Sequence, residues 1–193
     1  GVSASQVEIQ SGIQFYDGIT TAEIQGILVK SASDLISLDV PNYQYVAARL
    51  LLFGLRKNLY GRIHEVPTLI EQINRGVEKG IYDADILNKY SKAEIESLDK
   101  LIDHDRDYLF TYAGLRQVVD KYLVQDRSSG DVYETPQFMY LLIAMTIFAE
   151  YPPENRLDYV TRYYNAISRH KINIPTPIMG GVRTPIRQFA SCV

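Results

Sequence analysis

The chain has 193 residues, of which 46% are apolar and 22% charged, with a formal net charge of −3. This is ordinary for a globular protein, with room for one large domain or a small one joined to a larger one. The acidic balance argues against a nucleic-acid coat, and a lone cysteine excludes an internal disulfide, which fits a cytoplasmic location. The longest apolar stretch, "FMYLLIAMTIFA" from Phe138 to Ala149, falls short of the roughly 20 residues needed to span a bilayer and predicts a buried core helix. "GVSASQVEIQSG" at the start has neither the basic opening nor the apolar run of a secretory signal.

Helix signals then follow in chain order. Ser5 to Glu8 and Thr20 to Glu23 read as capping boxes, in which a hydroxyl and a carboxylate satisfy free amides at a helix start. After the second, Ile24, Ile27, Leu28, Leu35 and Ile36 recur at helical spacing until Pro41. "NYQYVAARLLLFGLRKNLYG" predicts a longer helix, apolar around much of its circumference, with Gly61 as its stop. "TLIEQINRGVEKG" places Leu69, Ile70, Ile73 and Val77 on one face and ends at Gly80. "SKAEIESLDKLI" opens with another capping box, Ser91 to Glu94, and "TYAGLRQVVDKY" is a further helix. "YLVQDRSSGDVYE" changes period and predicts a short β-hairpin around Ser128-Ser129-Gly130. Thr135-Pro136 starts the apolar helix, "YPPEN" ends it, and "RLDYVTRYYNAISRH" is the last helix. Beyond it, three prolines and two adjacent glycines predict an extended segment, a tight Gly180-Gly181 turn and a strand. Composition divides the chain into a small helical unit to about Gly61 and a larger, mainly helical one.

Candidate chemistry gathers near the end. After Asp158 there is no Asp or Glu, while Arg162, Arg169, Lys171, Arg183 and Arg187 remain, a run suited to an anion such as a phosphate. Thr176, Thr184 and Ser191 add hydroxyls, and glycines let backbone amides approach an anion. Arginine near Cys192 would lower its thiol pKa. His64, His104 and His170 sit in different segments with no metal-site spacing and no sign of meeting Cys192. "DHDRD", Asp103 to Asp107, reads as a solvated loop or a salt-bridge patch at a helix start rather than a catalytic cluster.

These residues also carry a family resemblance. "PTPIMGGVRTPIRQFASCV", "QFYDGITT", "PNYQYVAARLLLFGLRKNLYG", "IDHDRD", "KYLVQDRSSGDVYETPQF" and "RLDYVTRYYNAIS" resemble, in order and approximate spacing, class I (aerobic) ribonucleotide reductase large subunits of bacterial and bacteriophage type. The resemblance implies a mainly α fold with three parts. Residues 1–61 would be a partial ATP-cone, 62–175 the N-terminal helical domain, and 176–193 the start of the ten-stranded α/β barrel, with "RQFASCV" as its first strand. It implies that Cys192 is one of two cysteines oxidised to a disulfide as a ribonucleoside diphosphate is reduced. Thr176 would help hold the diphosphate, and Ser191 would line the same pocket. Among the ATP-cone's nucleotide contacts, Thr21, Phe53 and Lys57 match, whereas two positions where many members carry histidine are Gln25 and Gly54.

The second redox cysteine, the thiyl-radical cysteine with its Asn and Glu neighbours, and the electron-passing tail would lie beyond Val193. The chain is therefore expected to be incomplete alone and to bind no cofactor itself. Its expected partners are the rest of the large subunit, a small subunit with a radical cofactor, ATP and deoxynucleotide effectors, and thioredoxin or glutaredoxin. The alternative is a non-catalytic helical module that binds a nucleotide or a partner subunit.

Overall fold

The computed structural model describes residues 1–61, 65–126, 128–186 and 189. Ten α-helices occur among them: α1 (Ala4–Gly12), α2 (Thr21–Asp34), α3 (Tyr43–Tyr60), α4 (Leu69–Glu78), α5 (Asp85–Lys89), α6 (Lys92–Asp99), α7 (Tyr112–Lys121), α8 (Pro136–Ile147), α9 (Pro153–Ser168) and α10 (Thr176–Gly181). A 3-10 helix, His104–Leu109, precedes α7. None of these helices is long and apolar enough to cross a membrane.

Short-range chemistry sets most of the helix starts. At α2 the Thr20 hydroxyl accepts from the Glu23 amide at 3.2 Å, and the Glu23 carboxylate accepts from the Thr20 amide at 2.9 Å. Ser91 and Glu94 repeat this at α6, and Thr68 and Glu71 form a further box at α4. Ser5 and Glu8 do not form the expected box. The Ser3 amide donates to the Tyr43 hydroxyl at 3.0 Å, and α1 starts with Ser3 as its N-cap, two residues too early for Ser5 to be its cap. Gly61 ends α3 at φ 71°, a left-handed conformation that glycine adopts without strain. α2 stops at Asp34, well before Pro41, and leaves Ile36 exposed.

Pro136 to Met145 of α8 are all buried, which makes this helix the axis of the larger apolar cluster. That burial is why its sequence shows no polar face. α9 packs along α8, and Arg156 on α9 reaches Glu94 on α6 with two bonds of 2.7 and 2.6 Å. A smaller cluster of Val7, Ala32, Tyr43 and Ala47 joins α1, α2 and α3. α3 serves both clusters, through Ala47 in the small one and through Ala48, Leu52 and Leu55 in the large one. Its near-continuous apolarity follows from that double duty.

Three expectations about the latter part of the chain fare differently. The β-hairpin is reduced to one antiparallel bridge, Gln125 with Val132, and no strand occurs among the described residues. The Asp126 carboxylate accepts from the Ser128 amide at 2.8 Å in the tight turn at one end, and at the other the Val124 amide donates to the Glu134 carboxylate at 2.8 Å instead of to a strand partner. Gly180 and Gly181 are not a turn but the last residues of α10, because Pro175 and Thr176-Pro177 nucleate a short helix before them. The expected barrel strand, 187–193, lies outside the described residues except for Phe189.

One buried glycine is irreplaceable by packing. A Cβ on Gly76 would lie 2.0 Å from Cδ2 of Tyr82, whose ring is buried. Gly76→Ala is expected to destabilise the fold by about 2 kcal/mol, the scale of an overpacked core. Chemical denaturation checks this; an unchanged urea midpoint would show that the ring can move freely.

Candidate functional site

The central polar feature of the last part of the chain is a buried ion pair. Arg183 and Glu134 are 2% and 0% exposed, so their charges must be satisfied internally. Nε of Arg183 lies 3.0 Å from both Glu134 carboxylate oxygens, and Nη2 also meets Oε1. Two further guanidinium bonds go to the carbonyls of Met179, at 2.5 Å, and Tyr122, at 2.8 Å. Glu134 accepts further bonds from the Tyr82 hydroxyl at 2.7 Å and the Val124 amide at 2.8 Å. Gln72 donates to the Tyr82 hydroxyl and to the Tyr133 carbonyl, both at 2.9 Å. α4, the 122–134 loop and α10 are thereby tied to one carboxylate.

Thr176 is the first residue of α10 and is exposed. It borders two open grooves, one of about 790 Å³ beside His170, Lys171 and Asn173, the other of about 540 Å³ beside Lys121, Gly180 and Thr184. Its hydroxyl lies 3.3 Å from that of Tyr122. Cys192 and Ser191 lie outside the described residues.

The basic run does not form a single cationic face. Arg183 is spent on Glu134, and Arg162 lies 3.5 Å from Asp158 on its own helix. Arg169 and Lys171 are exposed after α9, and Arg187 lies outside the described residues. Counting charges along the sequence missed that Glu134, distant in the chain, neutralises the most buried cation.

Thr21 opens α2 and is exposed, and Phe53 and Lys57 sit one turn apart on the exposed side of α3. Gln25 and Gly54 meet directly: a Cβ on Gly54 would come within 3.0 Å of Cγ of Gln25. The Gln25 amide donates to the Leu50 carbonyl at 2.6 Å, so it is already engaged within the helix pair. This contact sets the approach of α2 to α3.

Of the two readings of "DHDRD", the salt-bridge patch at a helix start holds and the solvated loop does not: Asp103 caps the 3-10 helix and pairs with Arg106 at 3.2 Å. Asp107 is 1% exposed and pairs with Arg56 at 3.1 Å, while Gln137 donates to its other oxygen at 2.8 Å. Tyr164 donates to Gln137 at 2.8 Å and accepts from the Asp103 amide at 3.0 Å. Burial pushes the Asp107 carboxyl up to about 6, although Gln137 and Arg56 both favour its charged form. Burial lowers the neighbouring His104 to about 4, and the Arg56 charge adds to that. Arg56 and Gln137 hold the carboxylate and Tyr164 holds Gln137, so this cluster joins α3, α8 and α9. His170 packs on Phe110 at a ring distance of 4.5 Å, and His64 lies outside the described residues. Among the described residues no three His, Cys, Asp or Glu side chains could hold a metal ion.

Comparison with known proteins gives a consistent picture. Residues 108–187 match the family described as "Ribonucleotide reductase, all-alpha domain". The whole chain is 54% identical over 192 residues to the ribonucleoside-diphosphate reductase 1 subunit alpha of Escherichia coli (strain K12), of which it covers 25%. It is 52% identical over 192 residues to the corresponding alpha subunit of Haemophilus influenzae, again covering 25%. With the alpha subunit of Enterobacteria phage T4 the identity is 47% over 195 residues, covering 26%. The chain thus spans about a quarter of the length of these curated relatives.

The Asp107–His104 pair gives a pH signature. The folded pKa of His104 is below its unfolded value, so its contribution to stability is present above about 6.5 and is lost as the pH falls toward 4. The folded pKa of Asp107 is raised, so its contribution is present below about 3.8 and is lost as the pH rises through 6. The two slopes oppose each other between pH 4 and 6. His104→Leu should therefore make stability fall more steeply with rising pH across that window than in the unmodified chain. Urea midpoints measured at half-unit intervals check it; parallel profiles would sink the assignment.

Proposed function

We propose, from the match of residues 108–187 to the family described as "Ribonucleotide reductase, all-alpha domain", that the chain supplies the amino-terminal part of a ribonucleoside-diphosphate reductase large subunit. Its activity would be the reduction of ribonucleoside diphosphates to deoxyribonucleotides. Removing the 2′-oxygen as water takes two electrons and two protons, which a pair of thiols supplies as it closes to a disulfide. Cys192 is proposed as one of that pair; the other thiol comes from the rest of the large subunit. Thr176, with Ser191, would hold the diphosphate. The observation that carries this reading is the placement of Thr176, exposed on the first turn of α10 beside a groove and anchored by the buried Arg183–Glu134 pair.

The proposed partners are the remainder of the large subunit, a small subunit that carries the radical cofactor, and thioredoxin or glutaredoxin as reductant. Residues 1–61 would form a partial ATP-cone on the helical domain, and 176–193 would lead into the barrel. In the α2–α3 pair the Gln25–Gly54 contact favours a second, structural role for that unit. Gln25 fills the space over Gly54 and its amide is engaged by Leu50, so neither position offers a nucleotide the ring that histidine would provide. Thr21, Phe53 and Lys57 are the remaining candidate contacts.

Two measurements test these proposals. With the complete large subunit, the small subunit and a reductant, Cys192→Ser is expected to abolish turnover of a nucleoside diphosphate. Turnover that survives this substitution unchanged would remove Cys192 from the redox pair. Calorimetry on the isolated chain should detect no saturable binding of dATP or ATP; a saturable isotherm lost in Lys57→Ala would restore α2–α3 as an effector site.

A further inference from the structure

Thr176 can bind an anion well only if its own hydroxyl proton points outward, and the residues behind it supply the means. Nε2 of Gln117 lies 3.3 Å from the Tyr122 hydroxyl oxygen, and an amide nitrogen can only donate there. That hydroxyl lies 3.3 Å from Oγ1 of Thr176, a pair in which either oxygen can donate. The Gln117 proton occupies a lone pair of the phenol oxygen and leaves the phenol proton for Thr176. Once Oγ1 of Thr176 accepts that proton, its own proton is free for the groove shared with Lys121, Gly180 and Thr184.

We propose that Tyr122 is a positioning residue for Thr176, the middle member of a directed chain of donors that runs from Gln117 through both hydroxyls to the diphosphate of the substrate. The proposal rests on the reading of Thr176 as a diphosphate-binding residue. Both contacts are long for hydrogen bonds to a hydroxyl, as is common before a ligand arrives. An anion on Thr176 polarises each donor behind it, so the chain tightens as the substrate binds.

The buried ion pair keeps the two ends in register. Arg183 donates to the Tyr122 carbonyl at 2.8 Å and to the Met179 carbonyl in α10 at 2.5 Å. One guanidinium therefore holds the backbone of Tyr122 and that of the helix which begins with Thr176. The Tyr122 amide donates to the Val118 carbonyl at 2.9 Å, which fixes the same residue to the end of α7. The separation of the two hydroxyls is thus set by buried, rigid groups, although the hydroxyls themselves lie near the surface.

The test uses the complete reductase, with the full large subunit and its small subunit. Tyr122→Phe keeps the ring and removes only the hydroxyl. It should raise KM for the nucleoside diphosphate about 3- to 10-fold, the scale of one neutral hydrogen bond, and leave kcat within about twofold. Gln117→Glu puts an acceptor where the donor stood and draws the phenol proton away from Thr176, so it should raise KM as well. The double variant Tyr122→Phe with Thr176→Val should be no worse than Thr176→Val alone. If Thr176→Val raises KM but Tyr122→Phe does not, the relay is overturned and the diphosphate reading stands. If Thr176→Val leaves KM unchanged, the diphosphate reading falls and the relay falls with it. Full additivity in the double variant, or a lowered Tm with unchanged KM in Tyr122→Phe, would mark an independent or merely structural role and overturn the proposal.

Discussion

The interior charge pair of Arg183 and Glu134 constrains the latter part of the chain more than any apolar contact does. Moving an unpaired guanidinium or carboxylate out of water costs several kcal/mol, so each requires the other and a full set of hydrogen bonds. The structure meets that requirement with Tyr82, the Val124 amide, and the carbonyls of Met179 and Tyr122. Because these groups come from separate segments, satisfying one carboxylate fixes the relative places of α4, the 122–134 loop and α10.

A second polar network does the same for the opposite side of α8. Asp107 is ringed by Arg56 and Gln137, and Gln137 is held in turn by Tyr164. The chain of bonds passes from α3 to α9 through a helix whose other buried residues are almost all apolar. A buried network of this kind favours one register, since a shift of one residue along α8 would leave an amide and a carboxylate unpaired in the interior. The raised pKa of Asp107 reflects what that burial costs its charged form.

Surface and core meet at α10. Thr176 stands at the surface, yet Met179 is buried and Arg183 reaches inward just beyond the helix. A short helix with one exposed and one anchored end can present a hydroxyl at a fixed place while its other side belongs to the core. The α2–α3 pair differs, because its conspicuous polar side chain, Gln25, is used to bring the two helices together.

The local sequence was enough for features whose causes lie within a few residues. The Thr20–Glu23 and Ser91–Glu94 boxes, the left-handed stop at Gly61 and the proline start of α8 each need a reach of one helical turn at most. The burial of α8 was equally legible, since a helix without a polar face has nowhere else to go. Ser5 failed as a cap because Tyr43, 40 residues away from Ser3, holds the start of α1. Arg183 read as part of a cationic run because its partner Glu134 lies 49 residues earlier, and the burial of Asp107 was not legible because its partner Arg56 lies 51 residues before it. Tyr122 carried no signal at all, since its neighbour Thr176 is 54 residues away. The sequence by itself determined the helices and their ends, where propensity and capping act at short range. The tertiary structure alone decided which charges are spent in the interior and which hydroxyls meet, because hydrogen bonds between distant segments exist only after packing has closed the chain.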